Sequence, residues 1–358
     1  LVAYAQPYKY PFSRKTDQAD TYFGTTVADP YRWLEDDRSE ETSNWVKSQN
    51  TFTGQYLASI PYREKVRQRL TALWNFPKMS APFKGGDKYF VYTNDGLQNQ
   101  FVLNSMTDLK SKPKPFLDPN KLSADGTVNI GETETSPDGK LMAYSVSSAG
   151  SDWSRILVKS TETGKDLDDT VDWVKFSGIA WKGNGFYYSR YDAPAKGEEL
   201  KGKNEFHKIC YHRIGTPQSA DELIYVDNQH PLRNFSASVT SDERFLIISG
   251  SEGTSGNNLQ VKDLAASKSG FVNIVKEFGD DFQVIDNDSA TLLVLTNHKS
   301  PNYRLVRIPA GDTTAAWKDV IAERKEVLQE VHVAGGFLIA KYLQDAKSVL
   351  RVFTTAGK

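Results

Sequence analysis

The chain has 358 residues, a formal net charge of −1, 39% hydrophobic and 12% aromatic residues. A charge this close to zero gives no support for a nucleic acid or an anionic membrane surface as partner, and no run of 18 apolar residues offers a membrane span. The single cysteine, Cys210, excludes an internal disulfide framework, and its strand-like setting at residues 208–212 suits a packed thiol that behaves as a small hydrophobe.

The first six residues, Leu1-Val2-Ala3-Tyr4-Ala5-Gln6, are apolar and carry the small-residue pattern of a secretory cleavage site after Ala5. They give the expectation of a periplasmic or secreted protein. The alternative is an ordinary frayed N-terminus, as on a cytoplasmic chain. Asp29-Pro30 favours a turn and a helix start. Ser39, followed by Glu40, Glu41 and Thr42, reads as the opening of a helix, and Trp45, Val46, Gln49, Phe52, Tyr56 and Leu57 continue it at helical spacing. Pro61 interrupts, and Tyr62 to Leu73 reads as a second helix with Val66, Leu70 and Leu73 on one side. Residues 1–75 are thus expected to form a helical arm, unlike everything that follows, with Trp33, Trp45 and Phe52 exposed.

Residues 76–358 are expected to be all β. A polar turn followed by a short apolar strand recurs six times, clearest in Ser136-Pro137-Asp138-Gly139 with Leu141 to Ser147. The Asp-Gly pair tolerates the positive φ of a tight turn. Anchored on Tyr89, Leu141, Phe186, Leu246, Leu292 and Phe337, the steps are 52, 45, 60, 46 and 45 residues. Strand-rich repeats of roughly 40–50 residues are the mark of propeller blades. The long step contains residues 193–204, a charged, glycine-containing insertion. Seven blades of roughly 48 residues would need about 340 residues. Only 283 follow Asn75, so about six blades are expected and the ring is incomplete.

No Gly-x-Ser-x-Gly nucleophile elbow occurs in the chain. The five histidines, His207, His212, His230, His298 and His332, are scattered, with no His-Glu-x-x-His and no cysteine pair. Neither a metal nor any other cofactor is expected, and each histidine reads as a surface or strand residue.

Asp29-Pro30-Tyr31-Arg32-Trp33-Leu34-Glu35-Asp36, with Trp45-Val46 and Gln49-Asn50, resembles the N-terminal signature of the prolyl oligopeptidase family of serine peptidases. The resemblance continues through Asn94 to Gln100, Phe116 to Asn120, Gly150-Ser151-Asp152-Trp153, Val174 to Trp181 and Pro301 to Leu305. It covers almost the whole chain. It implies a mainly β architecture, a seven-bladed propeller preceded by a helical arm that belongs with an α/β-hydrolase domain. That domain, with its catalytic triad, would lie beyond Lys358, so this chain alone is expected to be inactive. The implied activity is hydrolysis of short peptides on the carboxyl side of proline.

Carried over residue by residue, the resemblance places Phe176 against the third peptide subsite from the cut, where an aromatic edge suits apolar side chains. It places Asp152 near the cavity mouth, the alternative being a turn-capping carboxylate. Where the resemblance implies an arginine reaching the peptide backbone, this chain has Ser251, and Thr254 replaces a following cysteine. Arg233 or Phe235 is expected to substitute. The implied partners are short proline-containing peptides and the C-terminal hydrolase domain of the same protein, with no nucleic acid and no membrane, and the complete enzyme is expected to be a monomer. Two other readings compete: a stand-alone propeller that binds a protein partner, and the related oligopeptidase B, which cleaves after basic residues.

Overall fold

The structure, a computed structural model, describes residues 8–199, 202–266 and 270–358. Residues 1–5, which carry the cleavage-site reading, lie outside the described residues, as do 200 and 201 of the insertion at 193–204. The chain divides into two compact units, Leu1–Pro77 with Asp95–Leu97, and Lys78–Asn94 with Gln98–Lys358.

In the first unit a short hairpin pairs Ala19–Tyr22 with Thr25–Ala28. A 3-10 turn at Arg32–Glu35 leads into α1 (Glu40–Ala58) and α2 (Arg63–Trp74). Ser39 caps α1, its hydroxyl accepting from the Thr42 N–H at 3.1 Å, which satisfies one of the unpaired amides of the first turn. The chain preceding the hairpin is tied to α1 by polar groups. Trp33 Nε1 donates to the Arg14 carbonyl at 2.8 Å, Trp45 Nε1 to Ser13 Oγ at 2.7 Å, and the Arg14 guanidinium reaches both Glu41 oxygens at 2.6 and 2.9 Å. Trp33, Trp45 and Phe52 are therefore half-buried rather than exposed, because each indole N–H finds a partner in this segment and Phe52 packs on the Tyr8 and Tyr10 rings. Exposed apolar residues occur on both helices, Val46, Tyr56 and Leu57 on α1 and, on α2, Leu70, Leu73 and Trp74 at 59%, 52% and 66% exposed.

The second unit is six antiparallel blades in chain order, built from five sheets among the described residues. Blade 1 joins Lys78–Met79 and Phe83–Gly85, both paired to Lys88–Asn94, with Val102–Met106 and Lys114–Leu117. Blade 2 contains Val128–Thr135, Leu141–Ser148, Ser154–Ser160 and the first part of Asp166–Trp181. The remainder of that strand opens blade 3, followed by Gly185–Arg190, Lys208–Arg213 and Glu222–Val226, so blades 2 and 3 form one seven-stranded sheet. Blade 4 is Asn234–Val239, Phe245–Ser251, Asn258–Asp263 and Val272–Val275; blade 5 is Phe282–Asp288, Thr291–Thr296, Arg304–Pro309 and Lys318–Ile321. Blade 6 has three strands, Val327–Ala334, Phe337–Gln344 and Lys347–Thr354. Each of the six turn-and-strand units in the sequence is the first hairpin of one blade.

The second strands of the inner blades are largely apolar because both of their faces are buried. Side chains alternate across a strand, so neighbouring residues enter different cores. Leu246 and Ile248 pack on Tyr187 and Ile209 of blade 3, whereas Ile247 between them packs with Leu292, Val294 and Val306 of blade 5. In blade 5, Leu293 and Leu295 face Leu328 and Leu338 of blade 6. Blades 1 and 2 meet through Phe90, Leu103, Met142 and Tyr144, and blades 2 and 3 through Ala143, Ile156, Phe186 and Tyr188.

A close backbone approach and a polar cluster fix neighbouring blades at two further places. The first is the pair of hairpin turns of blades 1 and 2, where Gly86 and Gly139 have φ of +60° and +69° and a Cβ on Gly139 would fall 2.1 Å from the Gly86 Cα. Gly139→Ala should therefore cost roughly 2–4 kcal/mol, combining left-handed strain with backbone overpacking. Gly183→Ala, at φ +56° with nothing within 4 Å, should cost only the strain, about 1–2 kcal/mol. Equal losses in urea midpoint for the two variants would contradict the close approach.

The second is a buried ionic clasp. His212 Nδ1 lies 2.8 Å from Asp221 and Nε2 lies 3.2 Å from Asp169, while the Tyr188 hydroxyl donates to Asp221 and the Gly215 N–H to Asp169. Burial alone would lower the His212 pKa, but the two carboxylates outweigh it and hold the imidazole above its ordinary 6.5. A group with a raised folded-state pKa contributes stability that is complete below the unfolded value and is lost as pH rises through the folded one. The stability advantage of the native chain over His212→Gln should be largest below pH about 6.5 and shrink at higher pH, as read from urea midpoints across a pH series.

Candidate functional site

In these antiparallel sheets the first hairpins mark one end of each blade. Loops between second and third strands, and connections from one blade to the next, mark the other end. Asp152 lies between the second and third strands of blade 2, and Thr254 between those of blade 4. Arg233 lies in the connection from blade 3 to blade 4, Phe235 begins blade 4, and Phe176 sits where blade 2 passes into blade 3. The topology thus carries all five to the same end of their blades.

Phe176 owes its exposure to a break in the long strand. Val174 pairs with Arg190, then the register shifts and pairing resumes at Ile179 with Tyr188. Trp173 and Phe176 have φ of 61° and 53°, a region in which bulky residues are strained and which persists only where surrounding contacts hold it. The bulge turns the Phe176 ring outward, 55% exposed.

His207 supplies the holding contacts. It is wholly buried, with its ring 4.5 Å from that of Tyr191. The Phe235 N–H donates to Nδ1 at 2.9 Å, which leaves the proton on Nε2, and Nε2–H donates to the Lys175 carbonyl at 2.9 Å. Burial pushes its pKa down to about 4, so the ring is neutral and serves as a fixed spacer between the bulge and blade 4. Ser189 adds a second tie, its hydroxyl donating to the Phe235 carbonyl at 2.7 Å.

Phe235 itself is 2% exposed and packs with Tyr187, Leu246 and Ile248 between blades 3 and 4. It is a core residue, not the surface substitute expected for the absent arginine. Its contribution to the face is its backbone, through His207 and Ser189.

The Asp152 carboxylate is 70% exposed and lies 3.6 Å from the Lys175 ammonium. It caps no turn among the described residues; that role falls to Ser151, whose hydroxyl accepts from the Trp153 N–H at 3.1 Å. Arg233 is held in place by others. It bonds Glu252 at 2.7 Å and Asp227 at 3.0 Å and lies 4.7 Å from the Phe278 ring centroid. Two carboxylates and an aromatic face leave it little freedom to swing toward a peptide. Thr254 is exposed in the loop following Ser251.

No described histidine ring is hydrogen-bonded to a serine, threonine or cysteine: His207 bonds the main chain, His212, His230 and His298 bond aspartates, and His332 bonds Glu330. The expectation of surface or strand histidines fails for His207, which is buried in a connection, because its two ring nitrogens replace strand pairing that the bulge interrupts. The Cys210 thiol is buried, and burial raises its pKa. The described face presents the Phe176 ring, the Asp152 carboxylate and the Lys175 ammonium close together.

A model described as prolyl oligopeptidase, N-terminal beta-propeller domain, matches residues 10–358. The chain belongs to the prolyl oligopeptidase family. A prolyl endopeptidase from Elizabethkingia meningoseptica is 45% identical over 352 residues, covering 98% of this chain and 50% of that protein. One from Elizabethkingia miricola is 44% identical over 355 residues. Prolyl oligopeptidase B from Galerina marginata, solved bound to a 25mer macrocyclization substrate, superposes with a TM-score of 0.84 at 31% identity, over 98% of this chain and 53% of that one. The chain spans about half the length of the relatives it matches.

Within this member of the prolyl oligopeptidase family, sequence reading reached Phe176 and Asp152 but passed over Lys175 and His207. The one available signal for His207 was its position at the end of a charged insertion, just before a strand. His207→Ala should cost about 2–4 kcal/mol, since the Lys175 carbonyl and Phe235 N–H would both be left buried and unpaired. The depressed pKa also predicts a pH effect. Stability from His207 is present above 6.5 and lost as pH falls through about 4. Urea midpoints measured from pH 7 down to 4 should show that decline in the native chain and a shallower one in His207→Ala.

Proposed function

We propose that this chain is the helical arm and gating propeller of a serine endopeptidase that hydrolyses short peptides on the carboxyl side of proline. The observation that carries this reading is the 45% identity to a prolyl endopeptidase across 98% of the chain. The exposed apolar residues of α2 support the companion proposal that a C-terminal α/β-hydrolase domain of the same protein covers the arm, since contiguous exposed apolar surface marks an interface. In that domain serine would attack the peptide carbonyl, histidine would move the proton and backbone donors would hold the oxyanion. The propeller contributes the face carrying Phe176 and Asp152, which selects and orients the peptide. The complete enzyme acts as a monomer.

The test is turnover by the protein expressed together with the coding sequence that follows. It should cleave a blocked glycyl-prolyl chromogenic substrate and lose that activity to a serine-directed organophosphate. The 358-residue chain alone should show none. Cleavage after arginine instead of proline would point to the oligopeptidase B reading, and absence of any hydrolysis to a binding module.

Phe176 gives the specificity prediction. Phe176→Ala in the complete protein should lower kcat/KM for peptides with a bulky apolar residue two positions before the proline. The loss should be on the order of 1–2 kcal/mol, the scale of one aromatic contact, with little change when that residue is glycine.

A further inference from the structure

We propose that the Lys175 ammonium is a peptide anchor, donating a charge-assisted hydrogen bond to a main-chain carbonyl of the peptide residue that rests on Phe176. The proposal rests on the reading that peptides bind this face, and it names the polar group that grips them.

The observation is a buried ammonium whose hydrogen bond and ion pair are both long. The Lys175 side chain is only 10% exposed. Its nearest acceptors among the described residues are Asn204 Oδ1 at 3.5 Å and Asp152 Oδ2 at 3.6 Å. A charged N–H···O bond ordinarily closes to about 2.7–2.9 Å. The other strongly buried lysines of the propeller achieve this: Lys159, 8% exposed, reaches Asp166 at 2.9 Å, and Lys208, 17% exposed, reaches Asp192 at 2.7 Å. Lys175 is held by rings instead, with Trp153 at 5.0 Å and Phe176 at 5.4 Å from ring centroid to Nζ. Cation–π attraction keeps the charge in place but uses none of its three N–H donors in a directed bond.

The Lys175 main chain cannot move to improve the geometry, because His207 pins its carbonyl. The exposed Phe176 ring stands beside the ammonium. A ligand oxygen entering there would complete a buried donor that the protein leaves incomplete, the condition under which one hydrogen bond is worth most. The oxygen should be a neutral one. Asp152 already stands beside the ammonium and balances its charge, so a second carboxylate would be repelled by the first, whereas an amide carbonyl would not. A peptide residue that places its side chain on Phe176 carries such a carbonyl within the reach of adjacent side chains.

The experiment uses the complete enzyme and two chromogenic peptides ending in proline, each with leucine two positions before it. They differ in one bond: the amide carbonyl of that leucine is present in one and replaced by an E-alkene isostere in the other. In the native enzyme the amide peptide should have a kcat/KM about tenfold higher than the alkene peptide, mostly through KM. Lys175→Met, which keeps the packing and removes the donors, should bring the amide peptide down to the alkene level and leave the alkene peptide where it was. Lys175→Arg should restore part of the difference. An amide-to-alkene ratio of one in the native enzyme, which needs no variant to fold, would overturn the proposal. So would a ratio unchanged by Lys175→Met in a protein of native melting temperature. Cleavage of neither peptide would sink the peptidase reading as well, so the two failures are distinguishable.

Discussion

Everything in the propeller depends on strands that have no solvent face. In an ordinary antiparallel sheet one side of the pleat is wet and the other dry. Here the second strand of each inner blade is dry on both sides, and adjacent residues such as Leu246 and Ile247 are claimed by different neighbours. A blade therefore has no core of its own. Its apolar residues are divided between the blade before it and the blade after it, which is why the structure reads as a chain of sheet-to-sheet interfaces, each needing both partners.

That arrangement leaves the loop end of the sheets free for other work, and left-handed non-glycine residues recur there, at Ala149, Phe206, Lys299, Tyr303, Asp345 and Ala346 as well as at Trp173 and Phe176. Where the long strand leaves blade 2 for blade 3, it cannot pair with both without a change of register. The change is made at Trp173–Phe176, in backbone conformations that such residues seldom adopt. The bulge would relax without an external hold. His207 provides one by bridging two backbones, accepting from the Phe235 N–H and donating to the Lys175 carbonyl. The exposed ring of Phe176 and the loosely met charge of Lys175 follow from that single irregularity. The arrangement of side chains on this face is thus a product of a topological joint.

The blades were readable in the sequence because they depend on local chemistry. A Gly- or Asp-containing turn followed by a doubly buried strand is visible in a window of about ten residues, and all six such windows are first hairpins. The helix start at Ser39 was visible for the same reason. The arm's tryptophans were read as exposed because their partners, the Ser13 hydroxyl and the Arg14 carbonyl, lie far from them in sequence and carry no pattern. Phe235 was misplaced for a similar reason: an aromatic beside a loop gives no clue to which way the first residue pair of a strand will point. His207 and Lys175 were out of reach because their roles are set by contacts between segments far apart in sequence, as with the 32 residues between the two and the 28 between His207 and Phe235. The fusion of blades 2 and 3 was equally hidden, since a 16-residue strand with a bulge at its middle looks like two strands with a turn between them.

That fusion sets a mechanical asymmetry among the blades. Neighbouring blades elsewhere are joined by side-chain packing and by separate hydrogen bonds, such as that from the Leu328 N–H of blade 6 to the Asn302 carbonyl of blade 5 at 2.9 Å, with no described strand that runs through both. Blades 2 and 3 share a strand, and parting them means tearing main-chain hydrogen bonds within a continuous seven-stranded sheet. Any breathing of the propeller will run along its other seams, while the fused pair moves as one stiff plate. Phe176, Lys175 and His207 ride on that plate, so the groups proposed to grip a peptide keep their mutual spacing even as the surrounding blades flex.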